Sequence, residues 1–296
     1  MVSDAIGILA ALGSAASWAM GAFIFKRLGL QIPPVPLTLA KSTLGLVILA
    51  VVAFSFGPVS VPWTSLLLLL FSGFLGIAVA DALFFKALNA ISAHTVVQMM
   101  TLGQILTIFL AYLFLQEPLS PTTGLSVTAI IGGVALVSYS QVREEGTSDS
   151  LPGLVAGLLS VVAMALSVIV AKLGVAGTDA LSGTLIRMLG GVLGAFLLFR
   201  LIGQGVNPLV VMRSDAGLSL RFVGAVLLIT FGGFFLSLLA IQQTSVAIAN
   251  TLIGTEPLFV LLFGLLLRKE RLTLARAAGT GLSLFGIGAL SLPEIL

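Results

Sequence analysis

Four ionisable side chains, Lys41, Asp81, Arg187 and Glu256, fall inside long apolar runs of this 296-residue chain. A charge near the centre of an apolar medium costs at least about 2.5–3.5 kcal/mol, so such groups face one another, a cavity or water. Their chemistry is that of holding an ion or polar group and of taking up and releasing a proton. Catalysis finds little to work with. Cysteine is absent and His94 is the single histidine, which excludes disulfides, thiolate chemistry and a His-rich metal cluster. An enzyme would be left with an Asp81–Glu256 pair outside any catalytic motif, or a Lys-assisted Ser. No GxxxxGKS/T phosphate loop occurs, so direct drive by ATP is not expected, nor is any cofactor or metal.

Glu256 lies about halfway along its run and precedes Pro257. Proline removes a backbone donor and disturbs a helix, which frees carbonyls to line a cavity. Glu256 is therefore expected either to bind a ligand or coupling proton in a cavity, or to form a structural ion pair with Arg187. Asp81, in GIAVADALFFKAL, is a second candidate carboxylate; it could equally pair with Lys41 or sit in interfacial water. Lys41 and Arg187 lie near the ends of their runs, where long side chains can snorkel to the interface. They could also bridge helices or attract an anionic group. Gln98, Thr101 and Gln104 share one helical face, and Asn250, Thr251 and Thr255 cluster near Glu256. Such residues line a cavity or hydrogen-bond between helices. Trp18 and Phe84 or Phe85 could wall a site or simply pack, and His94 starts its run near the interface.

The elements that must position these residues are membrane helices. Apolar residues make up 58% of the chain and charged ones 8%, against about 45–50% and about 25% in soluble domains. That length holds about ten spans of about 20 residues, with almost nothing left for a soluble domain. The net charge of +3 does not point to nucleic acid, because the basic residues flank apolar runs. The first run, Ala5 to Phe25, has no basic residue before it and Lys26-Arg27 after it. That polarity is opposite to a secretory signal, so the run is read as a helix that stays.

Breaks at Pro, Gly and charge place spans at Asp4–Phe25, Val35–Phe56, Pro62–Leu88, Ala93–Leu115 and Ser120–Ser140. After the polar stretch QVREEGTSDS they continue at Leu151–Leu173, Asp179–Ile202, Leu218–Ala240, Val246–Leu267 and Leu274–Leu292. The two halves repeat. A shift of 146 residues sets Gly7 on Gly153, Ser14 on Ser160, Lys26 on Lys172, Lys41 on Arg187 and Gly45 on Gly191. A shift of 153 sets Ala87 on Ala240, Ser92 on Ser245, Glu117 on Glu270 and Gly133 on Gly286. The expected organisation is a first repeat over 1–140, a polar linker over 141–150 and a second repeat over 151–296. Five helices per repeat is an odd number, so the second repeat enters the membrane upside down. Inverted repeats of this kind are characteristic of secondary transporters, with the site between the halves near the midplane. A channel would instead show rings of residues or a filter loop.

These residues carry a resemblance. GSAASWAMGAFIFK, with Trp18 and Lys26, is similar to the opening helix of the EamA-type branch of the drug/metabolite transporter superfamily. The early basic residue of each second helix matches Lys41 and Arg187. The segment ending in Glu and Leu-Ser/Thr occurs twice, as LFLQEPLS and LLLRKERLT, and Glu256-Pro257 precedes the second copy. One departure is Gln104, where the family often has the proline matching Pro257. The resemblance covers nearly the whole chain. It implies an all-α integral membrane protein of the cell membrane, with ten transmembrane helices as two inverted five-helix repeats. Its implied partners are a small-molecule substrate and the lipid bilayer, with no nucleic acid.

Orientation gives two answers. Lys26, Arg27, Lys86, Arg143, Arg200, Arg213, Arg221, Arg268, Lys269, Arg271 and Arg276 fall on one side of the membrane, and Lys172 alone on the other. The positive-inside rule then places the termini outside, whereas the family resemblance implies termini inside.

Overall fold

The computed structural model describes residues 2–29, 32–91, 93–142, 150–202, 216–266 and 273–291. Among these there is no β-strand, and the described residues form ten helical rods. In the first repeat they are α1 (Val2–Gly29), α2 (Pro34–Ser55), α3 (Trp63–Leu88), α4 (Ala93–Leu115) and α5 (Pro121–Val142). The second comprises α6 (Leu151–Val175), α7 (Ala180–Ile202), α8 (216–243), α9 (Val246–Leu266) and α10 (Leu274–Ser291). Among the described residues, seven of the rods are long and apolar enough to cross a membrane, and α4 and α5 carry shorter apolar stretches, Leu102–Leu115 and Pro121–Val137. The rods thus follow the ten apolar runs, within a few residues at each end.

Local chemistry sets the boundaries. Pro34 opens α2, where its missing N–H removes no helical bond. Gly57, at φ +136°, turns the chain away after it. Ser150 caps α6 by accepting from the Gly153 amide, and Ser245 caps α9 by accepting from Ile248. Ser245 and the extended Thr244 together make the short break between α8 and α9. Asp179, outside the spans, caps α7 through the Ser182 amide. Partial burial pushes its carboxyl up, but the hydrogen bonds from Ser182 and Leu181 prevail and hold it below the usual range.

The repeats interlock rather than lie side by side. α1 packs on α8 and α9 of the other repeat, and α6 packs on α3 and α4 in the equivalent way. α2 lies along α7, and α5 along α10. The close approaches need glycine. A methyl group at Gly133 would run into the Gly279 carbonyl oxygen, and one at Gly73 into that of Arg187.

α3 and α8 each contain a π-helical stretch, Phe74–Ala80 and Leu228–Phe235. Such stretches disturb the regular ladder of backbone hydrogen bonds, and here the other repeat fills in. Ser160 Oγ donates to the Ala80 carbonyl at 2.8 Å, and Ser14 Oγ donates to the Gly233 carbonyl at 3.0 Å. The two serines correspond at the 146-residue shift and the two carbonyls at the 153-residue shift, so the sequence repeat is also a repeat of contacts.

Candidate functional site

Three of the four embedded charges lie where α2, α3, α6 and α7 meet. Lys41 of α2 is 3% exposed and Arg187 of α7 is 8% exposed, so neither snorkels. The Lys41 ammonium donates to Asp81 Oδ2 at 2.5 Å. It also lies over the rings of Phe234, 5.4 Å from the centroid, and Phe85, at 5.9 Å. Asp81 is positioned by the π-helical stretch that ends just before it. Arg187 Nη2 donates to Ser167 Oγ of α6 at 3.3 Å, while its Nε is buried without a partner. Ser167 and Ser72 in turn exchange hydroxyl-to-carbonyl bonds at 2.8 Å, tying α6 to α3 beside the guanidinium.

Trp18 of α1 meets Phe234 edge-to-face at 4.9 Å and covers Gly233. It thereby joins the aromatic wall around Lys41. Phe84 stacks edge-on with Phe85 at 5.7 Å.

A second polar group forms where α4 crosses α9. α9 is interrupted at Gly254–Thr255 and resumes at Glu256. Pro257 has no N–H for the Ile253 carbonyl, so the ladder cannot run through this point. Gln104 of α4 presses its amide against Gly254, in the space that a side chain there would take. Buried Gln104 Oε1 and Asn250 Nδ2 both lack hydrogen-bond partners, whereas Thr251 and Thr255 donate back to carbonyls of their own helix. Glu256 is partly buried, and no ion pair joins it to Arg187 among the described residues. The side chains of Gln98, Thr101 and His94 lie outside the described residues.

Lys172, the exception in the charge distribution, is engaged at a helix end. Its ammonium donates to the Ile241 and Thr244 carbonyls at 2.6 and 2.8 Å and lies 3.7 Å from Glu117 Oε1. Glu117 Oε2 accepts from the Val246 amide at 2.7 Å. Together they hold the turn between α8 and α9. The sequence repeat marks both residues but not this pairing, and no sequence motif singles out Ser167 or Phe234. A groove of about 300 Å³ between α3 and α7, lined by Leu67, Leu70, Phe71, Phe74, Gly190 and Leu193, offers a solute no charged or hydrogen-bonding side chain.

Two inverted five-helix repeats with ionisable residues buried between them are the build of a membrane transporter. The sequence matches the EamA-like transporter family over residues 5–139 and 151–292, and the chain belongs to that family. It is a multi-pass integral membrane protein of the cell membrane. Over 138 residues it is 30% identical to the Uncharacterized transporter YvbV of Bacillus subtilis (strain 168). That match takes in 45% of this chain and 45% of that protein, under half the length of either. A crystal structure of a protein 16% identical in sequence superposes with a TM-score of 0.78 over 98% of this chain and 97% of that one, a likeness of fold alone.

Proposed function

We propose that this protein is a secondary transporter that carries a small organic metabolite by alternating access, with one repeat rocking against the other, and couples the movement to protons through Glu256. The observation that carries this reading is the break in α9. It sets a carboxylate without an ion-pair partner among the described residues beside unpartnered Gln104 and Asn250 amides. Broken helices between inverted repeats are where carriers bind substrate and coupling ions. Glu256, Asp81, Arg187, Lys41, Gln104, Asn250 and Trp18 are the proposed lining, with Gln98 and Thr101 on the same face of α4. Pro257 supplies the kink.

Purified protein in liposomes tests this. Saturable counterflow of a solute distinguishes a carrier from a channel, and an unchanged solute distinguishes it from an enzyme. Glu256→Gln keeps the side-chain shape and removes the titratable proton. Accumulation driven by a pH gradient is expected to fall to the level of empty liposomes, with the melting temperature little changed. Undiminished and still proton-dependent accumulation by this variant would remove Glu256 from the mechanism.

A further inference from the structure

Lys41 and Arg187 occupy equivalent places in the two repeats, and one difference between their surroundings is the residue at the counterion position. The register is set by hydrogen bonds. Ser160 binds the Ala80 carbonyl and Ser14 binds the Gly233 carbonyl, so the residues that follow, Asp81 and Phe234, are structural equivalents. Packing agrees. Gly183 of α7 lies against Leu238 of α8. One turn on from Gly183 is Arg187, and one turn back from Leu238 is Phe234. Consecutive helices run antiparallel, so both steps go the same way and bring the two residues to one depth.

Lys41 thus has its carboxylate, and the equivalent position in the second repeat, at the depth of Arg187, holds the ring of Phe234, whose cation contact is with the Lys41 ammonium. Of the two buried cations, Lys41 contacts Asp81 directly, and no ion pair joins Arg187 to a carboxylate among the described residues. Glu256, the other carboxylate within the apolar runs, makes no ion pair with either among the described residues. The deficit is visible in hydrogen bonding as well. Arg187 Nε is buried without an acceptor, and the fully buried hydroxyls of Thr38 and Ser42, on the stretch of α2 that carries Lys41, also lack partners. An uncompensated buried cation is strongly unfavourable.

Building on the transporter reading, we propose that the carried solute bears an anionic group, a carboxylate or phosphate, which binds Arg187 and supplies the counterion that the second repeat lacks. A guanidinium offers such a group two parallel N–H donors, and neighbouring hydroxyls can complete its shell.

The charge balance can be tested on the empty protein. Phe234→Glu restores the arrangement of the first repeat; Phe234→Gln makes the same loss of packing against Trp18 without the charge. The Glu variant is expected to melt above the Gln variant by about 2 °C or more. Inorganic phosphate and acetate should raise the melting temperature of the unaltered protein more than acetamide does, and this response should vanish in Phe234→Glu and Arg187→Gln. A Glu variant that melts at or below the Gln variant overturns the proposal. So does an equal response to acetate and acetamide, or a response to chloride as large as that to acetate, which would mark an inorganic counterion. The melting comparison requires no transport. A persistent advantage of Glu over Gln, in a protein that shows no counterflow of any solute, would remove the transporter reading and leave the missing counterion in place.

Discussion

At the scale of single residues, the two buried cations differ: Lys41 contacts a carboxylate, and Arg187 makes no ion pair among the described residues. Breaking a buried pair from one side costs about 3–5 kcal/mol, because the remaining charge is left without compensation. Here the two sides are unequal. Removing the ammonium with Lys41→Met leaves Asp81 and Arg187, one charge of each sign. Asp81→Asn instead leaves two cations and no carboxylate. Asp81→Asn is therefore expected to destabilise more than Lys41→Met, and the double variant to recover part of the loss. Thermal unfolding of the three variants measures this; equal single effects that simply add would show that the charges do not act as one unit. The contrast at Gln104 and Pro257 also turns on one residue. The two positions correspond at the 153-residue shift, yet α4 runs unbroken over Ala93–Leu115 while α9 is interrupted. Gln104 keeps the amide that Pro257 lacks.

At the scale of elements, helix ends in one repeat are held by side chains from elsewhere in the fold. The last carbonyls of a helix and the first amides of the next have no partners within their own helices. Lys172 of α6 supplies donors to the first set, and Glu117 from the connection after α4 supplies an acceptor to the second. Hydrogen bonds to charged groups contribute about 1.5–3 kcal/mol. Lys172→Met is expected to lower stability by about that amount, and Lys172→Met with Glu117→Gln by less than the sum of the two single losses. Strict additivity in a thermal double-variant cycle would mean that the two caps are independent. The π-helical stretches follow the same principle, because the serine that meets each displaced carbonyl comes from the first helix of the opposite repeat.

At the scale of the whole molecule, the two repeats interlock through equivalent contacts. Orientation is a separate matter, governed by charge. The structure accounts for the lone exception in the basic residues, since Lys172 serves as a helix cap; the remaining bias toward one side stands, and it predicts termini outside. The absence of native cysteine makes the test direct. Both Asp179 and Arg200 are exposed, at opposite ends of α7. A cysteine replacing Asp179 is expected to react with an impermeant thiol reagent applied to intact cells, and one replacing Arg200 only after lysis. The reverse pattern would establish the orientation implied by the family.

Composition and spacing alone place the spans, the two inverted repeats and the charges that fall inside the apolar runs. Those properties are one-dimensional. Run length sets whether a helix crosses, a fixed shift reveals a repeat, and an odd number of helices inverts the second copy. Tertiary structure alone decided which charge meets which. Lys41 paired with Asp81, no ion pair joined Glu256 to Arg187 among the described residues, and Arg187 was buried rather than drawn to the interface. These outcomes depend on the rotation and depth of helices far apart in the chain, and on which repeat supplies each neighbour. A linear pattern places a residue on its helix, but its partner is chosen by packing between helices.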